Sequence, residues 1–218
     1  MAITKINNNQ VRFQDPTAVT FIPWTATGGV IGTDGYDIHD IVGDTFSLTQ
    51  DDADRTEIPW EFGDDPLDEN VSLGNRNLTM QCLDYQNDIM VNLFGWSEDS
   101  GHDFAWAPSQ YEDLICTIIL TFSGKSIVMP KVKMDSKTVF ENLRTDIARG
   151  ELGGVLYSTP VQFGSATSLE ETGLFFVKHP SSSTKDFVIG ATMSGSTISG
   201  GVKVSIGTDG TVSLAANA

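Results

Sequence analysis

The chain is poor in positive charge. Its 218 residues hold 13 Lys and Arg against 29 Asp and Glu, a formal net charge of −16. Nucleic-acid binding through a basic face needs clustered Lys and Arg that release phosphate counterions, so this balance argues against that function class. Cysteine is also scarce. Cys82 and Cys116, the only two, both stand in apolar, strand-like runs, so we expect buried free thiols instead of a disulfide. No apolar run approaches the roughly 18–20 residues that cross a bilayer, and no membrane anchor is expected. The opening Met1-Ala2-Ile3-Thr4-Lys5 lacks the apolar stretch of a secretory signal. We therefore expect synthesis and folding in a cytoplasm.

Catalytic and cofactor motifs are missing as well. His39, His102 and His179 stand in no HxH or HxxxH spacing, and Asp37-Ile38-His39-Asp40 reads as an exposed acidic turn, not a metal site. Asp52-x-Asp54-x-Thr56 echoes the start of a calcium loop but lacks its later glycine and glutamate. There is no GxSxG elbow and no phosphate-binding GxxxxGK[ST] loop. Acids are too abundant for any one pair to mark glycoside hydrolysis. Trp24, Trp60, Trp96 and Trp106 read as core or interface anchors before they read as a sugar platform. No enzyme activity, metal or cofactor is expected.

What the sequence does contain is strands and turns, with 39% apolar residues to build a core. Phe46-Ser47-Leu48-Thr49 alternates, as does Leu78-Thr79-Met80-Gln81-Cys82, which sets Leu78, Met80 and Cys82 on one face. Leu114–Leu120 is almost continuously apolar. A turn at Ser123-Gly124-Lys125-Ser126 returns it into Ile127-Val128-Met129, where Pro130 limits ladder pairing. Val202–Ile206 and Thr211–Leu214 flank the turn Gly207-Thr208-Asp209-Gly210. One short helix is expected over Asp84–Gly95, with Asp84 as N-cap and Gly95 as stop. Ser136–Arg149 fits a helix through Val139, Leu143 and Ile147, or a strand and turn; the glycines that follow favour the latter.

Charge is segregated. Asp34–Asp113 holds twenty acids and only Arg55 and Arg76 as bases, whereas Leu114–Gly150 holds six bases and three acids. Thr49–Asn70 reads as a long acidic loop. It carries Asp51, Asp52, Asp54, Glu57, Asp64 and Asp65 together with Ile58, Trp60, Phe62 and Leu67. A purely solvated loop has no need of such apolar anchors, so the segment is expected to dock on its own domain or a neighbour. Lys125, Lys131, Lys133 and Lys137 form the complementary basic set. From Pro180 onward nineteen of thirty-nine residues are Ser, Thr or Gly, which reads as an appended β-element.

Gly43-Asp44-Thr45-Phe46-Ser47-Leu48-Thr49-Gln50-Asp51-Asp52, then Thr56-Glu57-Ile58, then Asp64-Asp65-Pro66-Leu67-Asp68, resembles tail tube proteins of long-tailed bacteriophages, most closely those of Bacteroidetes phages. A strand at Leu78–Leu83, a helix ending Leu93-Phe94-Gly95, a hairpin, and a Gly-led strand ending Thr159-Pro160-Val161 follow in the expected order. The likeness spans roughly Ile41–Phe163. It implies a mainly β protein, a β-sandwich or barrel of the tail tube type with one flanking helix. Six copies would form a ring, and rings would stack into a tube with an acidic channel that passes DNA without specific binding. The partners implied are further copies and other phage tail proteins. The implied location is the virion, after assembly in the host cytoplasm. A tail-terminator or baseplate-hub ring remains an alternative, as do a decoration or fibre protein, an adhesin and a carbohydrate-binding module. On this reading residues 1–40 are an N-terminal arm and strand, 41–179 the tail-tube-like β domain, and 180–218 the C-terminal β-element.

Overall fold

A computed structural model describes residues 16–25, 30–38, 41, 45–58, 68–72, 74–83, 87–101, 103–107, 114–139 and 149–217. The protein is mainly β, with one short helix among the described residues. The first sheet is built from β1 (Ala18–Pro23), β2 (Tyr36–Ile38), β3 (Ser47–Gln50), β6 (Arg76–Cys82), β9 (Leu114–Phe122), β10 (Lys125–Val139) and β11 (Arg149–Tyr157). Between β3 and β6 lie β4 (Asp54–Ile58) and β5 (Asp68–Ser72), and the helix α1 (Asn87–Phe94) precedes a small pair, β7 (Ser97–Glu98) and β8 (Ala105–Trp106). The strand order is β2-β1-β9-β10-β11-β6-β3, and β14 (Phe175–Lys178) also pairs with the first part of β10. The second sheet runs β13-β12-β15-β18-β19, from β12 (Thr159–Phe163), β13 (Glu170–Thr172), β15 (Lys185–Ile189), β18 (Val202–Ile206) and β19 (Val212–Ala216). A hairpin of β16 (Thr192–Ser194) and β17 (Thr197–Ser199) stands between β15 and β18.

The near-continuous apolar run of β9 follows from its position. Cys116, Ile118, Leu120 and Phe122 join one core with Leu78, Met80, Cys82, Met129 and Met134, under Ile89, Met90, Leu93 and Phe94 of α1. Ile119 faces the other way. With Ile22, Trp24 and Val128 it meets Val161, Phe187, Ile189, Val202, Val204 and Ile206 of the second sheet. The central strand is thus buried on both faces, the condition that removes polar alternation. Each large side chain so buried contributes about 1.5–3 kcal/mol. After residue 180, β15, β18 and β19 share this second core with β12 and are packed on the first sheet, whereas the β16–β17 hairpin stands outside it.

The helix occupies Asn87–Phe94, and Asp84 lies outside the described residues. Gly95 has φ +67°, a left-handed conformation that ends the helix, and Trp96 N–H donates to the Met90 carbonyl at 3.1 Å. Ser136–Val139 continues β10 and Arg149 opens β11, as the strand reading expected; residues 140–148 lie outside the description.

Pro130 limits ladder pairing as expected: it has no register partner on β9, β11 or β14, although β10 runs unbroken from Lys125 to Val139. The register slips there: Met129 faces Ile118 but Val132 faces Cys116, so one extra residue is accommodated as a bulge. One expectation needs correction: the stretch Thr49–Asn70 is not an irregular loop throughout. β4 and β5 pair antiparallel from Asp54↔Ser72 to Ile58↔Asp68, prolonging the β3–β6 pairing beyond residues 51–53 and 74–75, which lie in no strand.

Candidate functional site

The bulge decides where the basic residues go. Before it, odd-numbered residues of β10 (Ile127, Met129) face the helix side; after it, even-numbered ones do (Val132, Met134). Lys125 therefore shares a face with the helix-side core, whereas Lys131, Lys133 and Lys137 line the opposite face. The four lysines do not form one patch. Lys131 Nζ lies 5.2 Å from the centre of the Trp24 ring, and Lys137 Nζ pairs with Glu151 at 2.7 Å. Beside that pair, Thr45, Thr79, Gln81, Asp135 and Gly153 complete a polar hollow of about 490 Å³. This stretch of the first sheet, over β11 and β6, carries polar groups where the second sheet does not cover it.

Of the acidic segment, Asp51 and Asp52 are exposed at the root of the β4–β5 arm. Asp51 N–H donates to the Asn75 carbonyl at 2.8 Å, and the Asp51 carboxylate accepts from Asn77 Nδ2 at 3.2 Å. Asp54, Glu57 and Ile58 belong to β4. Trp60, Phe62, Asp64, Asp65 and Leu67 lie outside the described residues.

Sequence reading did not find a cleft of about 890 Å³ between β14 and the facing ends of β12 and β15. Its floor is aromatic. Phe175 meets Phe163 and Phe187 edge to face, with ring centres 4.9 and 5.0 Å apart. Lys178, Lys185 and Lys203 stand around it with one acid, Asp186. Lys203 Nζ pairs with Asp186 at 2.7 Å, and this partner, first among several hydrogen bonds, holds the Asp186 carboxyl below its ordinary range. No alternating pattern announces the cleft, because it forms where two sheets end, not within one strand.

Ser126, His179 and Asp209 come together where the Gly207–Gly210 turn meets the first sheet. Ser126 Oγ and His179 Nε2 are 2.9 Å apart. Burial lowers the His179 pKa, and the nearby Asp209 opposes that shift. Ser126 is fully buried and out of reach of a substrate, so the group acts as a pin between sheets. Gly210, with φ +90°, fits because a Cβ there would fall 2.5 Å from Thr121 Cγ2 and 2.6 Å from His179 Cε1.

Among the described residues there is no group of three or more His, Cys, Asp or Glu placed to hold a metal, and no helix is long and apolar enough to cross a membrane. Cys82 and Cys116 are both buried and neither is in a disulfide, as expected. No protein-family model and no curated protein matches the chain.

Proposed function

We propose that this protein is a structural virion subunit, the tail tube protein of a long-tailed bacteriophage. Copies close into rings of six, and the rings stack into a tube. The observation that carries this reading is the β4–β5 arm, a ribbon that prolongs the sheet edge at β3–β6 and is acidic in sequence. A two-stranded ribbon is marginal in water by itself, so such an arm calls for a surface to lie on. The order strand, arm, strand, short helix, hairpin and Gly-rich strand agrees with the resemblance drawn from the sequence. Every copy brings a formal charge of −16, and a wall of that sign repels DNA as it slides through. The sheet-edge strands β2, β3, β13 and β19 offer further backbone for pairing between copies.

The fold type would then be the tail tube variety of β-sandwich, assembled in the host cytoplasm and carried in the virion, with other tail proteins as partners and no cofactor. Negative-stain electron microscopy of the purified protein at high concentration tests this. Six-fold rings or tubes are the expected result. Dispersed monomers would overturn it, and trimers would favour a decoration or fibre protein instead.

A further inference from the structure

The cleft between β14 and the ends of β12 and β15 has an unusual balance for this chain. Lys203 is neutralised by Asp186, but Lys178 and Lys185 have no ion-pair partner among the described residues. In a molecule of net charge −16 the cleft is locally positive. Its aromatic floor reaches solvent at Phe163, which is 39% exposed. At about 890 Å³ it falls within the roughly 300–1,000 Å³ of recognition pockets.

Two unneutralised ammonium groups lining one cleft with an exposed phenyl ring complement a segment that sets carboxylates beside apolar and aromatic side chains. The chain carries such a segment at residues 57–67. Glu57, Glu61, Asp64 and Asp65 alternate there with Ile58, Trp60, Phe62 and Leu67, without a single Lys or Arg. We propose that this cleft receives the acidic, aromatic segment 57–67 of a second copy. The proposal rests on the self-assembly reading above and names the receiving surface. Ring-on-ring contact anchors the segment, while Lys178 and Lys185 steer its approach and fix its register.

A fluorescein-labelled peptide of residues 54–72, titrated into the full chain and followed by anisotropy, tests the contact. Saturable binding is expected. It should weaken by about tenfold or more in the Lys178→Glu, Lys185→Glu double variant and weaken again between about 50 and about 300 mM salt. Both lysines are exposed, and an unchanged circular dichroism spectrum checks that the variant is folded. No binding, equal binding by the double variant, or equal binding of a scrambled peptide of the same composition would overturn the proposal. So would binding that appears only after Glu61, Asp64 and Asp65 of the full chain are changed to Ser, since the cleft would then hold its own arm. Microscopy of the same samples separates the two readings. Rings that form without peptide binding sink the cleft alone. Peptide binding without rings supports the cleft and sinks the six-fold tube.

Discussion

The indole of Trp24 donates from Nε1 to Thr117 Oγ1 at 2.9 Å, and that hydroxyl donates onward to the Pro130 carbonyl at 2.6 Å. One side chain thus satisfies two buried groups at the point where β10 changes register. Thr117→Val keeps the shape but leaves both groups without a partner. It should destabilise the fold by about 1–3 kcal/mol, seen as a lower urea midpoint with an unchanged slope.

Gly150 is packed against the helix. A Cβ there would lie 2.3 Å from Phe94 Cζ and 3.2 Å from Cys82 Sγ. Gly150→Ala should cost about 1–3 kcal/mol through overpacking. Adding Phe94→Leu should recover part of that loss, because the two sites share the same space. Thermal or urea unfolding of the three variants measures the coupling.

Burial pushes the Cys116 thiol up to about 12. The thiolate is the reactive form, so the native chain should resist alkylation by iodoacetamide at about pH 8. Cys82 is equally buried, and mass spectrometry should find both cysteines unmodified until the chain is unfolded.

The lowered pKa of His179, set first by desolvation, makes stability depend on pH. The folded state binds its proton less readily than the unfolded state does. This contribution is therefore complete above the unfolded value near 6.5 and is lost as pH falls through and below it. In His179→Gln that part of the pH dependence should vanish. Urea midpoints compared between about pH 7.5 and about pH 5 would reveal it, and an unchanged slope with pH would contradict the assignment.

The split of the basic set separates two charge reversals. Lys131→Glu, Lys133→Glu and Lys137→Glu together alter one face and should impair ring or tube assembly while the monomer stays folded. Lys125→Glu alters the other face and should leave assembly intact. Sedimentation velocity distinguishes the outcomes; equal behaviour of the two variants would end the charge-complementarity idea.

Much of the fold was legible in the sequence because side-chain period maps directly onto burial. Leu78, Met80 and Cys82 are all buried, and the hairpins at Ser123-Gly124 and Gly207–Gly210 stand where the turn residues put them. The tail beyond Pro180 was read as an appendage from its Ser, Thr and Gly content. Yet Val202, Val204 and Ile206 already alternated, and they fill the second core. The strands of the β4–β5 arm were missed because Asp54-Arg55-Thr56-Glu57-Ile58 and Asp68-Glu69-Asn70-Val71-Ser72 hold few strand-favouring residues. The cleft was invisible for a different reason: Phe163, Phe175 and Phe187 are far apart in sequence and meet only through tertiary packing.

The extra residue beside Pro130 has a consequence for how β10 tolerates change. It makes one strand out of two phases, each with its own rule for which positions are dry. Excising the extra residue would close the bulge and leave Val132 opposite Cys116 and Met134 opposite Leu114, both still facing the helix. Keeping every residue but pairing the strand regularly would do the reverse: Val132 and Met134 would swing outward, and the ammonium groups of Lys131 and Lys133 would be driven towards the helix. The bulge is what lets β10 carry one residue more than its partner strand without turning its distal half inside out.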